Sequence, residues 1–171
     1  PSTKAATQAM LAMDGPVYLR TGRPRVPLVY PNGFDYEIGK ANQLRQGDQA
    51  TIIACGLMVA AALEAAEILS DSGVEVRVLD MHTIKPLDIA AIKNAAKETG
   101  GIVTAEEHVL QGGLGAGVAQ VVASHHPVPM SFVGIKQYVE SGSPEELLRK
   151  YGLMPEDIVQ ATVDVLNRKK D

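Results

Sequence analysis

The chain has no tryptophan, two phenylalanines and five tyrosines, so aromatics supply only 4% of a composition that is 46% hydrophobic. Its core must therefore be filled by Ala, Val, Ile and Leu, which suits closely packed helices on a sheet of aliphatic strands. Few aromatics and a formal charge of −4 exclude base-stacking nucleic-acid modules, which present aromatic rings on a basic surface. Hydrophobicity at this level excludes intrinsic disorder. The one cysteine, Cys55, excludes an internal disulfide, and no long uncharged apolar run or signal-type start is present. These absences point to a soluble cytoplasmic protein with no membrane span. A length of 171 residues excludes two large domains and leaves one domain, or one domain with an attached piece. The start, PSTKAATQAM, has no initiator methionine, as expected for the tail of a longer chain.

What is present changes character along the sequence. Residues 3–13, TKAATQAMLAM, have helical composition, and Gly15-Pro16 stops them before a strand-like run from Pro16 to Arg20. From Thr21 to Asn42 the chain carries Pro24, Pro27 and Pro31 with Gly22, Gly33 and Gly39. Prolines remove backbone donors, so this stretch reads as an extended linker.

A regular alternation follows. The strand Ala50–Cys55 leads through Gly56 to a helix from about Leu57 to Ser72, with Met58, Ala62, Ala65 and Leu69 on one side and Glu64, Glu67 and Asp71 on the other. Val74–Leu79 is the next strand. Pro86 is placed in the first turn of a second helix, whose buried stripe is Ile89, Ile92 and Ala96. Ile102–Ala105 is a third strand, followed by Glu106-Glu107-His108, a glycine cluster from Gly112 to Gly117 and an Ala/Val helix to about Ser124. Met130–Ile135 is the fourth strand. Ser143-Pro144-Glu145-Glu146 reads as a capping-box start, and Pro155 opens a last helix running through Ile158, Thr162 and Val165. Strand and helix alternating in this way predict a mostly parallel sheet with helices on its faces.

Several residues are candidates for chemistry, each with a plainer alternative. The glycine cluster invites phosphate binding, but a dinucleotide fingerprint wants G-x-G-x-x-G directly after the strand. Here Gly113, Gly115 and Gly117 are delayed by His108-Val109-Leu110-Gln111, and no Gly-Lys-Ser/Thr P-loop exists; tight turning and helix packing is the alternative. Glu106, Glu107 and His108, with Asp80 and His82 after the preceding strand, lie where open α/β sheets place ligands. They suit an acid/base pair or part of a metal site, against structural hydrogen bonding. His125-His126 reads as a helix-end cap, and Cys55 as a buried small hydrophobe more than a nucleophile. Arg20, Arg23 and Arg25 in YLRTGRPR suit paired hydrogen bonds to phosphate, against a solvated linker.

The combination of GPVYLRTGR, GKANQLRQGDQATIIACG, MHTIKPLD, TAEEHVLQGGLG and ESGSPEELLRKYG closely resembles the C-terminal third of transketolases, especially the smaller subunit of split transketolases. The separate motifs are shared with 1-deoxyxylulose-5-phosphate synthases and 2-oxoacid dehydrogenase beta subunits. The resemblance implies a three-layer α/β/α domain with a five-stranded mixed sheet, four strands parallel and one, about Glu37–Arg45, antiparallel. It divides the chain into 1–25, the last helix and strand of a pyrimidine-binding domain, a linker at 26–35, and a C-terminal domain at 36–171.

The resemblance further implies two-carbon ketol transfer between sugar phosphates, with Arg23 on substrate phosphate and Arg20 a weaker neighbour. Thiamine diphosphate and magnesium would serve the complete enzyme, with no cofactor, metal or catalytic residue expected on this chain. The implied partners are the missing pyrimidine- and diphosphate-binding domains or subunit, in a homodimer or heterotetramer, without nucleic acid or membrane. The chain alone is expected to be inactive. Readings of other classes are a non-catalytic assembly module and a free-standing nucleotide-binding domain.

Overall fold

The computed structural model describes residues 1–23, 25–31 and 34–169. After helix α1 (Ser2–Leu11), the elements are β1 (Asn42–Arg45), β2 (Ala50–Ala54), α2 (Met58–Asp71), β3 (Val76–Asp80), α3 (Ile89–Thr99), β4 (Ile102–Val109), α4 (Leu114–His125), β5 (Met130–Ile135), α5 (Pro144–Lys150) and α6 (Pro155–Arg168). Among the described residues no helix is long and apolar enough to cross a membrane. The sheet order is β1-β3-β2-β4-β5. Strands β2 to β5 are parallel, and β1 runs antiparallel to β3 along one edge. This is the three-layer mixed sheet that the resemblance implies.

Local sequence explains the layers. Every residue of β2, Ala-Thr-Ile-Ile-Ala, is buried, as an apolar strand covered on both faces must be. Its alternation sends Ala50, Ile52 and Ala54 into a core with α2 and α6, while Ile53 enters a second core with α3 and α4. Met58, Ala62, Ala65 and Leu69 of α2 are all buried, as are Ile158, Thr162 and Val165 of α6. Small alanines let α2 lie close to the sheet, as close packing of a core so poor in aromatics requires.

Two cations at the end of α6 close the end of the sheet opposite the candidate site. Lys169 Nζ donates to Gln49 O at 2.8 Å and Thr99 O at 2.6 Å, while Arg168 Nη2 donates to Met130 O at 2.7 Å and Ser131 Oγ at 2.6 Å.

Several expectations are corrected. Pro16 to Arg20 forms no strand, because strand-like residues need a neighbour to pair with and these are exposed. Helix α3 starts at Ile89, after Pro86: Asp88 Oδ1 accepts from Ala91 N at 2.9 Å and so fixes the start. Ile89 is consequently exposed, and Ala95 and Thr99 complete the buried stripe with Ile92 and Ala96. Gly100, at φ +64, supplies the left-handed turn that ends this helix. At α5, Ser143 makes no side-chain bond to the helix backbone and instead donates to Glu146 Oε2 at 2.6 Å. The antiparallel strand begins at Asn42, with residues 38 and 39 in a turn before it.

Candidate functional site

The C-terminal ends of the parallel strands lie side by side, with Ala54 opposite both Asp80 and Ala105. This is the end where open α/β sheets take ligands, particularly where successive connections leave for opposite faces. Here α2, after β2, packs on one face and α3, after β3, on the other. Glu106, Glu107 and His108 belong to β4 itself, which runs four residues further than the expected Ala105 end. Strand alternation therefore gives neighbouring residues different tasks.

Glu106 is a structural anchor. It is 2% exposed, and its two carboxylate oxygens accept from Leu114 N at 2.7 Å and Gly115 N at 2.8 Å. The first helical N–H groups of α4 thus find a charged acceptor inside the protein. This also accounts for the glycine cluster: a Cβ on Gly113 would stand 2.1 Å from Glu106 Oε2, and one on Gly115 would stand 2.7 Å from Thr104 Oγ1. A phosphate at this helix N-terminus would meet the Glu106 carboxylate, so the arrangement favours packing over nucleotide binding.

A second group forms where the linker folds over β3. Tyr30 Oη donates to Asp80 Oδ2 at 2.6 Å. Tyr30 stacks on Phe34 with ring centroids 3.9 Å apart, Phe34 meets Tyr36 edge-on at 6.2 Å, and Tyr36 stacks on His82 at 4.2 Å. Burial pushes the Asp80 carboxyl up to about 6, with the Tyr30 hydrogen bond acting in the opposite direction. Burial and then Asp80 itself push the Tyr30 hydroxyl up, and burial pulls His82 down. His82 Nδ1 lies 2.9 Å from Thr83 Oγ1, so this ring is held by stacking and by its neighbour in sequence.

Between these two groups lies Cys55, half-buried, with its thiol pushed up to about 12 by burial and then by Glu106. It is not primed as a nucleophile. His108 is exposed, with Nδ1 3.2 Å from Val109 O, and does not join the cluster. His125 Nδ1 lies 3.0 Å from Val121 O at the end of α4, in keeping with its reading as a cap. Among the described residues no group of three or more His, Cys, Asp or Glu is placed to hold a metal ion.

The arginines separate. Arg20 Nη2 donates to Glu107 O at 2.9 Å and to Glu107 Oε2 at 3.3 Å. Arg23 and Arg25 are exposed, and among the described residues neither has a hydrogen bond or ion pair. The sequence reading missed Tyr30, Phe34 and Tyr36. Its available signal was clustering: three of only seven aromatics in the chain fall within residues 30–36.

Comparison with known proteins accords with this fold. Residues 39–158 match the family described as transketolase, C-terminal domain. Over 168 residues the chain is 42% identical to a subunit of the apulose-4-phosphate transketolase of Phocaeicola vulgatus, covering 97% of this chain and 54% of that protein. It is 41% identical over 167 residues to a 6-deoxy-6-sulfo-D-fructose transketolase subunit of Clostridium sp. (strain MSTE9), covering 97% and 52%. A solved structure described as a split gene transketolase, inactive beta4 tetramer, superimposes with a TM-score of 0.95 at 41% identity, covering 98% of this chain and 55% of that one. The chain thus spans about half the length of these relatives.

Proposed function

Because the chain belongs to the transketolase C-terminal domain family, we propose that it is the C-terminal part of a cytoplasmic thiamine-diphosphate-dependent transketolase. The complete enzyme transfers a two-carbon ketol unit from a ketose to an aldose, and this chain contributes Arg23 as a clamp for the anionic end of the sugar. The observation carrying this reading is the division between the arginines: Arg20 is neutralised by Glu107, whereas Arg23, three residues on, is exposed. A guanidinium in that condition offers two parallel donors to a tetrahedral oxyanion. The names of two relatives specify a sugar with a sulfo group and a sugar with a 4-phosphate, which supports an anion clamp.

The described residues do not themselves fit magnesium and a diphosphate. They contain no cluster of three metal-type ligands, and the N-terminus of α4 is occupied by Glu106. Under this proposal the cofactor is held by the pyrimidine- and diphosphate-binding portions, in a homodimer or heterotetramer, and the isolated chain is inactive. Residues 1–25 belong with the pyrimidine-binding portion, 26–35 link the two, and 36–171 form the supporting domain.

Arg23→Ala in the assembled enzyme tests the clamp. KM for a phosphorylated sugar is expected to rise at least about tenfold, as for loss of a charged hydrogen bond, with little change for the unphosphorylated analogue. Equal effects on the two would remove Arg23 from the anion site.

A second reading, an assembly module without catalysis of its own, is favoured by the exposed side chains of Leu11, Tyr18, Val26 and Leu28. Apolar side chains gathered on one segment mark a surface made to be covered. Calorimetric titration of the isolated chain with magnesium and thiamine diphosphate checks it: no heat of binding is expected, and tight binding would assign the cofactor site to this chain.

A further inference from the structure

Arg20 and Glu107 belong to distant parts of the sequence, yet they form the only hydrogen-bonded tie between residues 14–29 and the rest of the chain among the described residues. The next tie is Tyr30 on Asp80. One pin is therefore on β4 and the other at the end of β3, with β2 between them. Two strand spacings amount to about 10 Å, whereas ten residues can reach about 33 Å. The two pins therefore lie well within the reach of a chain of that length. Arg23 is three residues from the Arg20 pin and seven from the Tyr30 pin, so the Arg20 pin limits its position more closely.

We infer that Glu107 is a positioning residue for the anion clamp: by holding Arg20 it fixes the start of the segment that presents Arg23 to the anionic group of the sugar. This rests on the assignment of Arg23 made above. Two acceptors on one residue, a carboxylate and a main-chain carbonyl, define the direction of the guanidinium better than a lone exposed ion pair does. The geometry also gives Arg20 a task different from direct phosphate binding, because its charge is already matched by Glu107.

The two roles for Arg20 predict opposite results in the assembled enzyme. If Glu107 positions Arg23, Glu107→Ala raises KM for the phosphorylated sugar by about two- to fivefold, the range supported by an exposed charged pair. The unphosphorylated analogue and kcat are unchanged, and the double exchange Arg20→Glu with Glu107→Arg recovers part of the loss. The effect disappears in an Arg23→Ala background, because residues acting through one group are not additive. If Arg20 itself binds phosphate, Glu107→Ala removes the competing carboxylate, leaves only the main-chain carbonyl of residue 107 on Arg20, and KM falls, which overturns the inference. An increase that persists unchanged in the Arg23→Ala background, or one shared by both sugars, also overturns it. A selective Arg23→Ala effect with a silent Glu107→Ala leaves the anion clamp standing and removes only the positioning role, whereas an unselective Arg23→Ala removes the clamp itself. Thermal unfolding of each variant separates these kinetic results from loss of fold.

Discussion

Replacing Asp80 with asparagine should stabilise the protein increasingly as pH rises from acid to neutral. The carboxyl is 5% exposed; Oδ2 accepts from Tyr30, while Oδ1 has no hydrogen-bond partner among the described residues. Burial raises it from its ordinary 3.8 to about 6, which is worth about 3 kcal/mol at about 1.4 kcal/mol per pH unit. Because the folded value lies above the unfolded one, the folded protein keeps this proton between about pH 4 and 6 after the unfolded chain has lost it. The contribution of Asp80 to stability is therefore greatest below about pH 4, falls as pH rises through about 6, and is flat beyond. Asparagine preserves an acceptor for Tyr30 and removes the ionisation. Urea unfolding of both proteins at steps from about pH 4 to 7.5 gives the difference in stability at each pH, in which the other titrating groups cancel. The advantage of Asp80→Asn should grow by about 3 kcal/mol across that window. Parallel stability curves, or an advantage that grows toward acid, would refute the assigned burial cost.

Other perturbations test the remaining anchors. Glu106→Ala strands two helical N–H groups in a buried place, and denaturant unfolding should show a loss of about 2–4 kcal/mol. Gly113→Ala drives a methyl group to within 2.1 Å of the same carboxylate, so the melting temperature should drop with a cost of about 1–3 kcal/mol; an unchanged melting temperature would mean that the turn yields freely. Cys55, with its thiol pushed up to about 12, should react with iodoacetamide at about pH 8 far more slowly in the folded protein than in urea. Fast alkylation of the folded state would contradict its burial.

Elements dominated by a single period were legible in the sequence, and those dominated by distant partners were not. The stripe Met58, Ala62, Ala65 and Leu69 is a property of one helix, and all four residues are buried. Ile89 fits a helical stripe equally well, but Asp88 starts α3 immediately before it and leaves it in solvent. Glu106 and Glu107 are adjacent acids with the same local appearance. Their separation into a helix anchor and a partner of Arg20 depends on contacts with residues 8 and 87 positions away. The Tyr30–Asp80 bond joins residues 50 apart, beyond any local pattern in a linker marked chiefly by proline.

The contacts made by Lys169 and Arg168 set an order of events during synthesis. α6 supplies Ile158, Thr162 and Val165 to the core, and Lys169 then joins the carbonyls of Gln49 and Thr99. Strands made much earlier thus have one face incompletely covered until α6 leaves the ribosome. The domain acquires its full stability only after that release, and a nascent chain halted shortly before residue 155 would display the part of this sheet face that α2 leaves uncovered to chaperones or to other copies.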